Sequence, residues 1–174
     1  MKMSAELETL FNAQITLEFE ASMVYRQLAI RVSEMDLSGA SAWLRHQADE
    51  EIVHANKFID HLDDRGNYPR IGDIAQPPDV RGASMLEIFQ AALAHEEKVS
   101  AAIRKLALSA EDAGDLDSRP ILNWFFSEQI EEESTVREII SRIELAGDDG
   151  AGLLKIDEQL GRRPSESTEN TEPL

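Results

Sequence analysis

Apolar and polar positions in this chain alternate at steps of three and four residues in four long stretches, the signature of α-helices that bury one face. From Ser4 to about Ser33 the stripe is Leu7, Leu10, Gln14, Leu17, Ala21, Val24 and Leu28, flanked by Phe11, Glu18, Tyr25 and Val32. Ser4 is the expected N-cap. After a break at Met35-Asp36-Leu37, a second stretch runs from Ser38, a candidate cap, to Asp64, through Ala40, Trp43, Leu44, Gln47, Phe58, Ile59 and Leu62. A third covers about Ser84 to Asp112, with Leu86, Phe89, Leu93, Ile103, Leu106 and Ala107. The fourth runs from about Ser118 to Ala146, on Leu122, Phe125, Gln129, Glu132, Val136, Ile139 and Ile143, with Arg119-Pro120 suited to a first turn. Leu153 to Leu160 predicts a short fifth helix. No strand pattern and no internal repeat is present, so the fold class is all-α.

The connections give the topology. The breaks at 35–37 and at Ala113-Gly114-Asp115 are short enough only for antiparallel hairpins. Gly66 suits the position just past a helix end. From there to Ala83 the chain carries Pro69, Pro77 and Pro78 and cannot be helical. Extended at ~3.3 Å per residue, this segment reaches on the order of 50–60 Å. The second helix, at ~1.5 Å per residue, is only about 40 Å long. The segment therefore spans the bundle and starts the third helix parallel to the second. Residues 1–160 are read as one domain, a four-helix bundle of two hairpins joined by a long crossover, plus the short fifth helix. Residues 161–174, polar and holding Pro164 and Pro173, are expected to form a disordered tail.

The stripes are interrupted by acids. In the second helix the apolar step lands on Glu51 and His54, a carboxylate and an imidazole one turn apart on the buried face. The other stripes meet Glu18, Glu96 and Glu132. Counted from their N-caps, Glu18, Glu51, Glu96 and Glu132 lie about 14, 13, 12 and 14 residues in, depths that differ by only ~3 Å. Antiparallel neighbours share a level only at mid-height, so the four carboxylates and His54 belong to one central layer. Ionised carboxylates in a dry core require cations. No stripe brings a Lys or Arg to that level, so a metal site is the favoured reading over a structural polar cluster.

Composition narrows the chemistry. Cysteine is absent, which removes thiolate ligands, and an oxygen-rich set with one imidazole suits iron or manganese. A carboxylate-bridged pair of metals in a bundle uses one Glu from each of two helices and Glu-x-x-His from the others. Here the fourth helix offers Glu128-Gln129-Ile130-Glu131-Glu132 with no histidine, so the two positions are unequal. Glu18, Glu51 and His54 hold one ion firmly, Glu51, Glu96 and Glu132 hold the other loosely, and Glu51 bridges. Glu50, Glu128 and Glu131 point beside the layer, as a third, outer position or as a solvated acidic face. A formal net charge of −17 argues against nucleic acid as a partner. No apolar run approaches a membrane span, and the opening residues lack the apolar core of a secretory signal, so no membrane association is expected and the cytoplasm is the expected compartment.

The stretches NAQITLEFEASMVYRQL (12–28), WLRHQADEEIVHANKFIDHL (43–62), His95-Glu96 and LNWFFSEQIEEESTVREII (122–140) resemble the non-haem bacterial ferritins, ferritin-like di-iron carboxylate proteins. The similarity covers all four helices, the start of the crossover at Gly66-Asn67-Tyr68-Pro69-Arg70, and the fifth helix. It implies that Glu18, Glu51, His54, Glu96 and Glu132 are ferroxidase ligands, with Gln129 alongside. It also implies that Glu50, Glu128 and Glu131 form a third iron position sharing Glu132. Tyr25 and Trp124 match aromatics near such centres, although their periodicity alone reads as core packing. The resemblance further implies oxidation of Fe(II) by O2 or H2O2 and a shell of about two dozen identical subunits, a 24-mer filled with ferric oxide. A carboxylate-bridged oxidase that stores no iron is the alternative. Asp112, Asp115 and Asp117 are weak candidates for a pore lining. His46, His61 and His95 lack ligand spacing and are read as ordinary surface or supporting groups.

Haem-binding relatives resemble this chain but carry a methionine beside the second-helix glutamate and a histidine on the fourth helix; here those positions hold Ile52 and Glu132. Ile52 has no atom that ligates iron. Protein purified after haem is offered should therefore show no stoichiometric Soret band, and a bis-methionine haem spectrum would refute this.

Overall fold

The computed structural model describes residues 1–162; the expected tail lies, from residue 163 on, outside the described residues. Five α-helices are formed: α1 (Ala5–Ser33), α2 (Ser38–Asp64), α3 (Met85–Asp112), α4 (Arg119–Ala146) and α5 (Gly150–Leu160), with one 3-10 turn at Leu116–Ser118. The long helices end within a residue or two of the positions that periodicity predicts. Ser4 caps α1 by accepting from the Leu7 amide, and Ser84 with Glu87 forms a reciprocal capping box on α3. The fifth helix begins three residues earlier than its apolar pattern, because Asp149 accepts from the amides of Ala151 and Gly152. Among the described residues, no helix is long and apolar enough to cross a membrane.

The crossover leaves α2 through Gly66, whose φ of 72° places it in the left-handed region. It then travels beside α1. Asn12 accepts from the Arg70 amide (2.7 Å), Thr16 from Gly72 (2.8 Å) and Glu20 from Ala75 (3.2 Å). Further on, the Arg31 guanidinium donates to the Ala83 carbonyl (2.9 Å). Loop and helix thus advance in the same direction, and α3 starts at the C-terminal end of α1, where α2 also starts. That is the parallel α2–α3 arrangement the loop length requires.

The core is two apolar clusters rather than one. One holds Tyr25, Leu28, Trp43, Leu44, Ile88, Phe89, Val136 and Ile139. The other holds Phe11, Ile15, Phe58, Leu62, Val99, Ile103, Leu122 and Phe125, with Phe58 and Phe125 stacked at 4.1 Å. On each long helix the interval between the two clusters contains the buried acids. The polar layer at mid-height is therefore the boundary between two hydrophobic blocks.

One expected cap is replaced. Ser38 is the first residue of α2, its N-cap is Leu37, and no side chain of that segment caps the helix. Instead the Asp157 carboxylate on α5 accepts from the Ala40 amide at 2.7 Å, a buried contact. It satisfies one of the unpaired amides of the first turn, with a negative charge where the helix dipole favours it. The approach is close because residue 39 is glycine: a Cβ there would lie 1.9 Å from the Asp157 carbonyl oxygen. Gly39→Ala should therefore displace α5 and lower stability by about 1–3 kcal/mol. Thermal unfolding, with limited proteolysis of residues 150–162, checks this; an unchanged midpoint and protected α5 would refute it.

Candidate metal centre

The polar layer holds Glu18 from α1, Glu51 and His54 from α2, Glu96 from α3, and Gln129 and Glu132 from α4, all buried. Glu18 and His54 are the most deeply buried of these, with next to no solvent exposure. The sequence register thus puts all five residues expected as ligands, and Gln129, in one buried layer, with Glu96 outside both of its groups of close donor atoms. Donor atoms of Glu18, Glu51 and His54 lie within 4.8 Å of one another, and His54 Nδ1 is 3.3 Å from Glu51 Oε2. A second group within the same limit is His54, Glu128 and Glu132. His54 belongs to both.

Most carboxylates of the layer are held by neutral donors. Gln14 Nε2 donates to Glu18 Oε1 (2.6 Å), Tyr25 Oη to Glu96 Oε1 (2.5 Å), and Gln129 Nε2 to Glu96 Oε2 (3.2 Å). Gln47 Nε2 donates to both oxygens of Glu132, at 2.8 and 3.1 Å. Glu18 Oε2 and Glu51 Oε1 are buried with no hydrogen-bond partner among the described residues. An unsatisfied buried carboxylate oxygen costs several kcal/mol. Two such oxygens, on residues whose donor atoms lie within 4.8 Å of one another, fit a hard cation.

The protonation equilibria carry the same strain. Burial raises the carboxyl pKa of Glu18 and of Glu96, and raises that of Glu51 well above its usual range, with the Glu96 charge adding to the effect there. Burial and then the Glu96 charge push Glu132 up to about 8, with Glu50 and Glu128 contributing. The Tyr25 phenol is raised well above 10 by burial and the surrounding carboxylates, so it stays a proton donor.

Residues outside the central layer are placed less uniformly. Glu50 is buried, with its Oε2 3.3 Å from His46 Nδ1. Glu128 is half-buried and Glu131 is exposed, so the structure draws Glu50 and Glu128 toward Glu132 and leaves Glu131 on the outer side of α4. Tyr25 is both core and site, since its ring lies in an apolar cluster and its hydroxyl binds Glu96. Trp124 is half-buried rather than core, edge-on to His54 at 5.6 Å between ring centres, with Lys57 Nζ 4.4 Å from the centre of its ring.

Of the two roles expected for the histidines, the supporting one fits His95 and His61: His95 is partly buried, which holds its pKa down to about 4, and His61 packs on Phe11 and meets the Ser118 hydroxyl at 3.0 Å. One expectation needs correction. Asp115 is not free to line a pore: Arg65 grips both of its oxygens at 2.7 Å, and Asp117 takes the N-terminal ammonium at 3.1 Å. Sequence reasoning gave no role to Gln14, Gln47, Ser100 or Glu133. Gln14 and Gln47 are polar residues standing on otherwise apolar stripes, and that was the available signal.

A ferritin-like domain model matches residues 8–146. The bacterial non-haem ferritin of Escherichia coli is 38% identical over 149 residues, 86% of this chain and 90% of that protein. That of Bacteroides fragilis is 33% identical over 160 residues, 92% and 99% of the two chains. Among solved structures, an open-pore ferritin from the archaeon Archaeoglobus fulgidus superposes with a TM-score of 0.91 at 30% identity, covering 94% of this chain and all of that one.

The raised carboxyl pKa values fix a sign. A group whose pKa is higher folded than unfolded imposes no penalty below its unfolded value, and costs stability as pH rises toward its folded value. For Glu132 that window runs from about 4.5 to about 8, at up to about 1.4 kcal/mol per pH unit for each such group. The thermal midpoint of metal-free protein should fall between pH values of about 5 and 8, and Glu132→Gln should flatten the fall. A midpoint that rises over this window would refute the assignment.

Proposed function

This chain belongs to the ferritin family, and on that premise we propose that it is an iron-storage protein with ferroxidase activity. Fe(II) is its substrate. Glu18, Glu51 and His54 take one Fe(II) and Glu51, Glu96 and Glu132 the second, with Glu51 bridging and Gln129 beside the second position. The observation that carries this reading is the cluster of Glu18, Glu51 and His54 donors within 4.8 Å, with two carboxylate oxygens left without protein partners.

Each bound iron gives up one electron. Together the pair reduces O2 to hydrogen peroxide with uptake of two protons, or reduces peroxide itself to water. Using two irons at once avoids one-electron release of superoxide. The protein supplies geometry and negative charge, and the metals supply the electrons. Gln14, Gln47, Tyr25 and Gln129 orient the carboxylates while remaining neutral, so the field that attracts a cation is preserved. The second position, which lacks an imidazole of its own, releases Fe(III) more readily to a ferric oxyhydroxide store. Glu50 and Glu128, drawn toward Glu132, provide a third position that shares Glu132 and receives outgoing iron, with Glu131 exposed on the outer side of α4 beside it. The store lies inside a hollow homo-oligomer, a 24-mer, in the cytoplasm, with no haem, nucleic acid or membrane partner. The ferritin names of the relatives and the superposition on an archaeal ferritin support this assembly.

Glu51→Ala should slow rapid Fe(II) oxidation by about 100-fold or more, since it removes a ligand common to both positions and even outer partners of metal ligands are worth 10–100-fold. The bundle should still fold, because one of several crowded like charges is gone. Stopped-flow absorbance of the ferric product measures the rate, and oxidation at the parental rate would refute the site. Iron loading followed by size-exclusion chromatography tests storage: a loaded shell near half a megadalton is expected, whereas an iron-poor dimer would favour the oxidase alternative.

A further inference from the structure

On α3, Glu96 and Ser100 stand one turn apart; on the facing α4, Gln129, Glu133 and Arg137 do the same. Ser100 and Glu133 are buried, beside the layer and not in it. Ser100 Oγ donates to Glu133 Oε1 at 2.5 Å, Arg137 donates to Glu133 Oε2 at 2.5 Å, and Gln129 Nε2 lies 3.3 Å from Ser100 Oγ. Arg137 also reaches Glu97 at 3.3 Å and is half exposed. The chain of contacts thus runs from Glu96 through Gln129, Ser100 and Glu133 to a surface guanidinium.

The direction of these bonds is forced. An ionised carboxylate only accepts, and a guanidinium only donates. With Arg137 donating to Glu133, the single Ser100 proton is committed to the other Glu133 oxygen. Ser100 Oγ can then only accept from Gln129, so Gln129 must turn its NH2 group toward Ser100 and Glu96. The orientation of a glutamine amide is fixed by its partners, and here those partners allow one choice. The opposite choice would set the amide carbonyl against the Glu96 carboxylate, acceptor against acceptor.

We propose that Ser100 and Glu133 are positioning residues that fix the amide polarity of Gln129 and, through it, hold Glu96 in the pose that takes the second iron. The proposal rests on the reading of Glu96 as a ligand of that iron. Glu96 is clamped at both oxygens, by the Tyr25 hydroxyl and by the Gln129 amide, and each oxygen keeps lone-pair capacity for a metal. Losing the Ser100 hydroxyl removes one acceptor of the Gln129 NH2 group and leaves Glu96 alone to hold the amide orientation. Glu133→Gln does more. The new amide must give its carbonyl to Arg137 and its NH2 to Ser100, which sends the Ser100 proton to Gln129 and reverses the relay.

Calorimetric titration of the metal-free full chain with Zn2+ tests this, read beside saturation curves for Fe(II) oxidation. Two binding steps are expected for the parent, and Glu96→Ala should remove the weaker. Ser100→Ala and Glu133→Gln should each weaken that step on the order of tenfold, leave the tighter step within about twofold, and raise the apparent KM for Fe(II) more than they lower kcat. Ser100→Thr, which keeps the hydroxyl, should behave like the parent. If Ser100→Ala does not fold, the isosteric Glu133→Gln carries the test. Loss of the weaker step in Glu96→Ala, with that step intact in Ser100→Ala and Glu133→Gln, would overturn the relay and leave the ferroxidase reading standing. Both steps surviving in Glu96→Ala would overturn that reading and the relay with it.

Discussion

Four carboxylates crowded into a water-excluded layer are the constraint to which the rest of the bundle answers. Like charges at such spacing cannot all remain ionised without counter-charge, and Glu132, held near 8, shows the cost. Lysine or arginine salt bridges would relieve the repulsion and abolish the attraction for a cation together. The layer uses amides and a phenol instead. Gln14, Gln47, Gln129 and Tyr25 fix carboxylate positions without cancelling charge. Apolar blocks above and below then supply the stability that the layer gives up.

The division of labour between backbone register and side-chain detail explains what could be read in advance. Helix limits, the crossover and the shared depth of Glu18, Glu51, Glu96 and Glu132 depend on periodicity and chain length, which are local properties of the sequence. Caps that arrive from distant segments are not local: nothing around Ser38 signals that Asp157 will take its place. The same applies to Asp115, an ordinary acid in a turn until Arg65 closes on it from the end of α2. Ser100 and Glu133 escaped for another reason. Their meaning lies in the direction of a hydrogen bond, and residue spacing carries no information on direction.

The crossover illustrates a case between these extremes. Asn12, Thr16 and Glu20 recur every four residues on the outer side of α1, and each receives an amide of the passing loop. A polar stripe of that period reads as solvated surface. Here it is a track that holds residues 70–75 of an otherwise irregular segment beside α1, and Arg31 of the same helix takes the Ala83 carbonyl just before α3 begins, so side chains of α1 help to set the entry point of α3 and with it the depth of Glu96.

The cap that Asp157 lends to α2 places a temporal condition on the molecule. Ala40 and Asp157 are 117 positions apart, so during synthesis the helix that bears Glu51 and His54 lacks an acceptor for its first turn until almost all of the described chain has left the ribosome. A chain stopped short of residue 157 carries His54 and every acid of the central layer yet keeps an unfinished helix end, so formation of α5, and not appearance of the last layer residue, is what closes this end of α2.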